Sequence, residues 1–195
     1  MSNTDDRPLV ILDLDNTCIC AVEKEELDMV PRPDQFEFQD LEDIYRIYQR
    51  PLLQPWLDDL FKKYKVGVWT AAGLSYGLFV IKQFILRNPN RELEFFMWDD
   101  HCSYSSRRSR GQAKHIALLE PLYSLNQTVI LDDNKDVLKQ KQDSIDSHYF
   151  DVKHPKAHED IFLKEMCSNQ IRDHFDNKLP HSKMILRDEI NKLLQ

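Results

Sequence analysis

The apolar run that closes on two carboxylates, Val10-Ile11-Leu12-Asp13-Leu14-Asp15-Asn16-Thr17, holds the residues of this chain best suited to chemistry. Strand residues alternate faces, so Asp13 and Asp15 point the same way while Leu14 points into the core. Like charges that close repel and shift each other's pKa, and a fold rarely keeps such a pair without a cation or a proton transfer to use it. The chemistry indicated is a metal-assisted nucleophilic reaction. Two further apolar runs end in polar groups: Val66 to Trp69 ends at Thr70, and Thr128 to Leu131 ends at Asp132 and Asp133. In open α/β sheets, ligands bind beyond the carboxyl ends of the strands.

Those strand ends require a sheet to carry them. Short β-rich runs alternate with longer helical stretches, the signature of an α/β domain with a mainly parallel sheet. Strands are predicted at Leu9 to Leu14, Val66 to Trp69, Leu93 to Trp98, Thr128 to Leu131 and Tyr149 to Val152. Pro51 suits a first helical turn, and Leu53, Trp56, Leu57, Leu60 and Phe61 recur at three- and four-residue steps, which predicts a helix from Pro51 to Tyr64. A second helix, Leu74 to Arg87, is halted by Asn88-Pro89. Ala21 to Gln39, acidic and interrupted by Pro31 and Pro33, reads as a loop or short hairpin. Ser103 to Arg110 reads as a loop, Gln112 to Leu119 as a helix with Lys114 at its start, and helices are expected near His158 to Phe175 and Lys183 to Leu194. Residues 1–195 read as one domain, with a core over about 9–152 and C-terminal helices from about 158.

With 195 residues, 42% of them hydrophobic, the chain can bury one substantial core. A net charge of −7 argues against a global electrostatic grip on nucleic acid or an anionic membrane. The longest apolar run, Gly77 to Ile81, stops at Lys82, far short of the roughly 20 residues that span a bilayer. The opening Met-Ser-Asn-Thr-Asp-Asp-Arg is acidic where a secretory signal starts basic and turns apolar, which points to an intracellular protein, cytoplasmic or nuclear. Cys18 and Cys20 form a C-x-C pair with no second pair to complete a zinc set, so reduced thiols are expected. The seven histidines show no shared ligand spacing, and none is given a catalytic role.

Taken in order, Asp13-x-Asp15-x-Thr17, Thr70 at its strand end, Lys114 and the Asp132-Asp133 pair resemble the four motifs of the haloacid dehalogenase (HAD) superfamily. Arg50-Pro51, Val68-Trp69-Thr70-Ala71-Ala72 and Val129-Ile130-Leu131-Asp132-Asp133-Asn134 are similar to its FCP/SCP group, phosphatases of the RNA polymerase II carboxy-terminal domain. The resemblance covers about Leu9 to Val152 and implies a Rossmann-like parallel sheet flanked by helices, capless, with a small β insert. One departure is Asn16, where the group usually has Glu, and another is Cys18, where it usually has Leu.

The resemblance implies that Asp13 attacks phosphorus, splitting monoester hydrolysis into two steps through an acyl phosphate. Asp15 would protonate the departing alkoxide and then deprotonate the attacking water. Repulsion between these carboxylates and a phosphate dianion calls for positive charge, and a hard all-oxygen set suits Mg²⁺. Its protein ligands would be the Asp13 carboxylate, the Asp15 backbone carbonyl and one acid of the last pair, with Asp133 favoured as direct ligand and Asp132 as an outer group orienting water or Lys114. Lys114 and Thr70 would bind the phosphoryl oxygens. Thr17 would shape the turn after the strand, and Arg50 would be either a clamp on the loops or a substrate contact.

Small-molecule phosphatases of the superfamily usually close the site with a cap domain. Here about 30 residues separate Cys20 from Arg50 and about 25 separate Arg87 from Lys114, too few for a cap with its own core. An open site suits a bulky substrate, a phosphorylated protein segment above all. Phe95 to Cys102, with Trp98, stands where the resemblance places a small β insert that could hold an extended peptide. Arg107, Arg108 and Arg110 form a basic spot that could bind a second phosphate or a nucleic-acid backbone. The reading is a Mg²⁺-dependent protein Ser/Thr phosphatase; the alternatives are a nucleic-acid end phosphatase and a binding module with a vestigial site, as in mitochondrial translocase subunits that carry a related domain.

Overall fold

The computed structural model describes residues 5–108 and 113–177. Five parallel strands form the main sheet in the order β6-β5-β1-β7-β8. They are β1 (Leu9–Leu12), β5 (Lys65–Trp69), β6 (Phe96–Met97), β7 (Thr128–Asp132) and β8 (Ser144–Asp146). β1 lies at the centre, paired with β5 on one side and β7 on the other.

Alternation along β1 explains why it reads as an unbroken apolar run. Val10 and Leu12 join the core on one face of the sheet, while Leu9 and Ile11 join a second cluster with Trp69, Ile116, Ile130 and Val137 on the other. A strand covered on both faces has no solvent side to mark with polar residues. The first face is covered by α1 (Leu53–Lys63), which buries Leu53, Trp56, Leu57 and Leu60 at helical spacing. Phe162, Leu163, Cys167, Ile171 and Phe175, from a helix over 162–177, complete that layer.

Several elements depart from expectation. The helix predicted at Leu74 to Arg87 is α2 (Leu74–Val80) continued by one wide π turn over Ile81–Ile85, where the Leu86 N–H reaches the Ile81 carbonyl at 2.8 Å. Between Ile19 and Gln49 the chain builds a three-stranded antiparallel sheet, β2 (Ile19–Glu23), β3 (Phe38–Leu41) and β4 (Tyr45–Gln49), in the order β2-β4-β3. This sheet is the small β insert, so the insert does not lie at Phe95 to Cys102. Its apolar residues Cys20, Val22 and Tyr48, with Phe36 just before β3, are buried against Phe150, Val152 and Ala157, a long-range contact that local periodicity does not carry.

Tyr149 to Val152, expected as the last strand, packs under that insert without joining a sheet, and β8 takes the edge position instead. Leu93 to Trp98 is reduced to the two residues of β6. Ser103 to Arg110, expected as a loop, belongs to α3 (Asp99–Arg108) as far as Arg108, with Asp99 and Asp100 suited to its positive N-terminal end. Of the helix expected at Gln112 to Leu119, Gln112 lies outside the described residues, and the rest is a turn at 113–114 followed by a 3₁₀ turn over Ile116–Leu119. The helix predicted at Lys183 to Leu194 and the residue Arg110 lie outside the described residues. No helix among the described residues is long and apolar enough to cross a membrane.

Candidate active site

The carboxyl ends of β1, β5 and β7 converge on one cluster. The Asp13 N–H donates to the Leu131 carbonyl at 2.9 Å, extending the ladder just past β1 and fixing Asp13 beside the end of β7. Lys114 Nζ donates to Asp13 Oδ1 at 2.5 Å and to Asp132 Oδ2 at 2.8 Å, and all three side chains are buried. The other oxygen of Asp132 accepts from the Asn134 N–H at 2.8 Å, so both of its oxygens are engaged. Asp133 is half-buried, and Thr17 Oγ1 lies 3.5 Å from its Oδ1. One carboxylate oxygen from each of Asp13, Asp132 and Asp133 falls within 4.8 Å of the others.

Asp15 stands at the rim, accepting from the Tyr76 hydroxyl of α2 at 2.5 Å. Asn16 beside it has φ of 58°, in the left-handed region that Asn tolerates better than most non-glycine residues. Its amide donates to the Phe150 carbonyl at 3.0 Å, and the Phe150 N–H donates back to the Asn16 carbonyl at 2.8 Å. The departure at this position is therefore a turn residue that ties the β1 loop to the chain beneath the insert.

Thr70 is buried, its Oγ accepting from the Ala72 N–H at 3.0 Å, which leaves the hydroxyl proton to donate elsewhere. α2 closes on Thr70 and β6 because Gly77 has no side chain: an added Cβ would lie 2.5 Å from the Phe96 ring. Arg50 is buried as a clamp. It donates to the Thr17 and Ser147 carbonyls at 3.0 and 2.8 Å and twice to Asp160 Oδ2 at 3.1 and 2.8 Å. Of the two readings of Arg50, these bonds favour the clamp on the loops. Thr17 Oγ1 shares a 2.8 Å hydrogen bond with the Ser147 hydroxyl, which ties the turn to the end of β8.

Trp98 is half-buried against Phe96 and His101, with Nε1 on Asp100 at 3.1 Å. Arg107 is exposed near the end of α3. Tyr76 and Ser147, which bond Asp15 and Thr17, carry no motif that marks them in the sequence.

Charge in the cluster is unbalanced. Burial raises the Asp15 pKa to about 6, the Asp13 charge adds to that rise, and the Tyr76 hydrogen bond opposes it. Burial and the Asp13 charge also raise Asp132 and Asp133. For Lys114, burial works against the ammonium, but the attraction of Asp13 and Asp132 outweighs it and the pKa rises. One ammonium thus faces four carboxyl groups, and a divalent cation is the partner such an all-oxygen set fits.

A parallel sheet with acids at its central strand ends, a buried lysine joining them and no large cap among the described residues defines a capless HAD-type phosphatase. The chain belongs to the family of NLI interacting factor-like phosphatases, which it matches over residues 8–176. These are phosphoric monoester hydrolases of the FCP/SCP type, a group whose members are generally metal-dependent. CTD phosphatase-like protein 355R of invertebrate iridescent virus 3 is 37% identical over 154 residues, 71% of this chain and 81% of that protein. Its counterpart in invertebrate iridescent virus 6 is 36% identical over 194 residues, 93% of this chain and 98% of that protein. The fold is similar to that of Fcp1, an essential RNA polymerase II CTD phosphatase, with a TM-score of 0.56 and 18% identity over 97% of this chain. A variant of the fission yeast Fcp1 bound to beryllium fluoride gives a TM-score of 0.56 and 20% identity over 96% of this chain. The chain spans 54% and 55% of those two chains.

Proposed function

We propose that the protein is a Mg²⁺-dependent protein Ser/Thr phosphatase that works through an aspartyl-phosphate on Asp13. The observation that carries this reading is the Lys114 ammonium bridging Asp13 and Asp132 at the strand ends, with Asp133 beside them. Asp13 attacks phosphorus, and the P–O bond to the serine or threonine oxygen breaks as the new P–O bond forms. Asp15 gives its proton to the departing oxygen. It then takes a proton from the water that cleaves the acyl phosphate, releasing inorganic phosphate and restoring Asp13.

A carboxyl with its pKa raised to about 6 suits this double duty, because near neutrality it exchanges a proton in either direction at small cost. Lys114 neutralises charge on the phosphoryl oxygens, and the Thr70 hydroxyl donates to them. Mg²⁺ would be held by the carboxylates of Asp13 and Asp133 and the backbone carbonyl of Asp15. When bound, it would offset the repulsion between these acids and the incoming dianion. Asp133 is preferred to Asp132 as direct ligand because Lys114 and the Asn134 N–H already occupy both Asp132 oxygens.

The substrate we favour is an extended phosphorylated segment of a protein, inside the cell, in cytoplasm or nucleus. The interval between Cys18 and Arg50 holds the small three-stranded sheet and two short 3₁₀ helices, Lys24–Met29 and Pro33–Gln35, an insert small enough for a bulky substrate to reach Asp13. Purified protein should release phosphate from a phosphoserine peptide with Mg²⁺, stop with chelator and stop in Asp13→Asn. No turnover on peptides would favour a binding module, and turnover on nucleic-acid ends alone would favour an end phosphatase.

A further inference from the structure

Lys114 carries the cation of the site on a turn, with φ of 55° in the left-handed region, and no helix or strand holds it. A strained backbone persists only where its surroundings over-determine it. Four backbone groups around Lys114 are held by side chains. Gln140 Nε2 donates to the Ala113 carbonyl at 2.7 Å and Gln142 Nε2 to the Lys114 carbonyl at 3.1 Å. Gln142 Oε1 accepts from the Ile116 N–H at 2.9 Å, and Ser105 Oγ of α3 accepts from the His115 N–H at 2.9 Å. Gln142 thus uses both ends of one amide to hold the carbonyl of Lys114 itself and the N–H two residues further on, as a neighbouring strand would.

We infer that Gln142, assisted by Gln140, is a positioning residue: its amide fixes the Lys114 turn so that the ammonium meets Asp13 and Asp132 together. The inference rests on the proposed role of Lys114. Both glutamines lie in the connection between β7 and β8. The same connection therefore follows the Asp132-Asp133 pair and secures the lysine that answers it.

The test compares Gln142→Met, which keeps the length and loses both hydrogen bonds, with Gln54→Met as a matched control. Gln54 in α1 also spans two elements through its amide, donating to Gln49 Oε1 at 2.6 Å and the Phe84 carbonyl at 2.9 Å, away from the carboxylate cluster. With both variants at equal fraction folded, kcat on a phosphoserine peptide with Mg²⁺ should fall about tenfold or more in Gln142→Met, since small displacements of a catalytic group cost that much. It should stay at the wild-type value in Gln54→Met. The ¹⁵N signal of the Lys114 ammonium, identified by its loss in Lys114→Arg, should shift in Gln142→Met alone. A wild-type kcat, or an unshifted Lys114 signal, in Gln142→Met overturns the inference. If the wild-type protein turns over no substrate, the proposed function fails and the ammonium signal alone decides the clamp.

Discussion

Arg50 and Lys114 are both buried cations near the carboxyl end of the sheet, and their partners differ in kind. Arg50 meets one carboxylate, Asp160, and two carbonyls, so its donors and charge are matched within the fold. Lys114 meets two carboxylates directly, with Asp15 and Asp133 close enough to feel its charge. The matched cluster holds four chain segments together; the unmatched one retains negative charge that a metal and a phosphoryl group can use. Surplus charge marks where the fold gives up stability for chemistry.

Arg50→Met should produce the largest change in stability. It strips Asp160 and two carbonyls of their partner, and breaking a buried pair from one side costs about 3 kcal/mol, read as a drop in the thermal midpoint. A midpoint within a degree of wild type would remove the contrast with Lys114.

Asp15→Asn should act in the opposite direction. A carboxyl whose pKa is raised from 3.8 to about 6 binds its proton more tightly in the folded protein, so folding stability falls as pH climbs from about 4 to about 6 and stays lower above. Asparagine removes that fall while it can still accept from Tyr76. In metal-free buffer at pH 7.5 the variant should be more stable by at most about 3 kcal/mol, at 1.36 kcal/mol per pKa unit, with no difference at pH 3.5. Equal denaturation midpoints at both pH values would show that Asp15 carries no such penalty.

The smallest effect is expected from the metal. Mg²⁺ at one hundred times its dissociation constant should stabilise the wild-type protein by about 2.7 kcal/mol. Chelator should reverse the shift and Asp133→Asn should suppress it, whereas Lys139→Ala on the surface should leave it intact. An undiminished shift in Asp133→Asn would move the ligand role to Asp132.

The four acids of the cluster and Thr70 are legible because each interrupts or follows an apolar run that has its own physical reason. Asp13, Thr70 and Asp132 stop apolar runs, and β1, β5 and β7 lie where those runs predicted. Lys114 was legible by type and order alone. Over the described residues 113–119 a turn stands where a helix is expected, secured by Gln140, Gln142 and Ser105, residues that no local periodicity connects to it. The insert was hidden for a similar reason, since Cys20, Val22 and Tyr48 are buried by Phe150 and Val152, over a hundred residues along the chain. Asn16 departs from the motif in sequence, and its left-handed φ and its bond to Phe150 account for the departure.

The central claim is that Asp13 takes the phosphoryl group. The most direct measurement is a crystal structure of the protein soaked with beryllium fluoride and Mg²⁺. The account predicts beryllium bonded to an Asp13 carboxylate oxygen, with fluorines facing the Lys114 ammonium and the Thr70 hydroxyl. Beryllium on Asp15 or another side chain, or an Asp13 carboxylate still free at saturating beryllium fluoride, would contradict it.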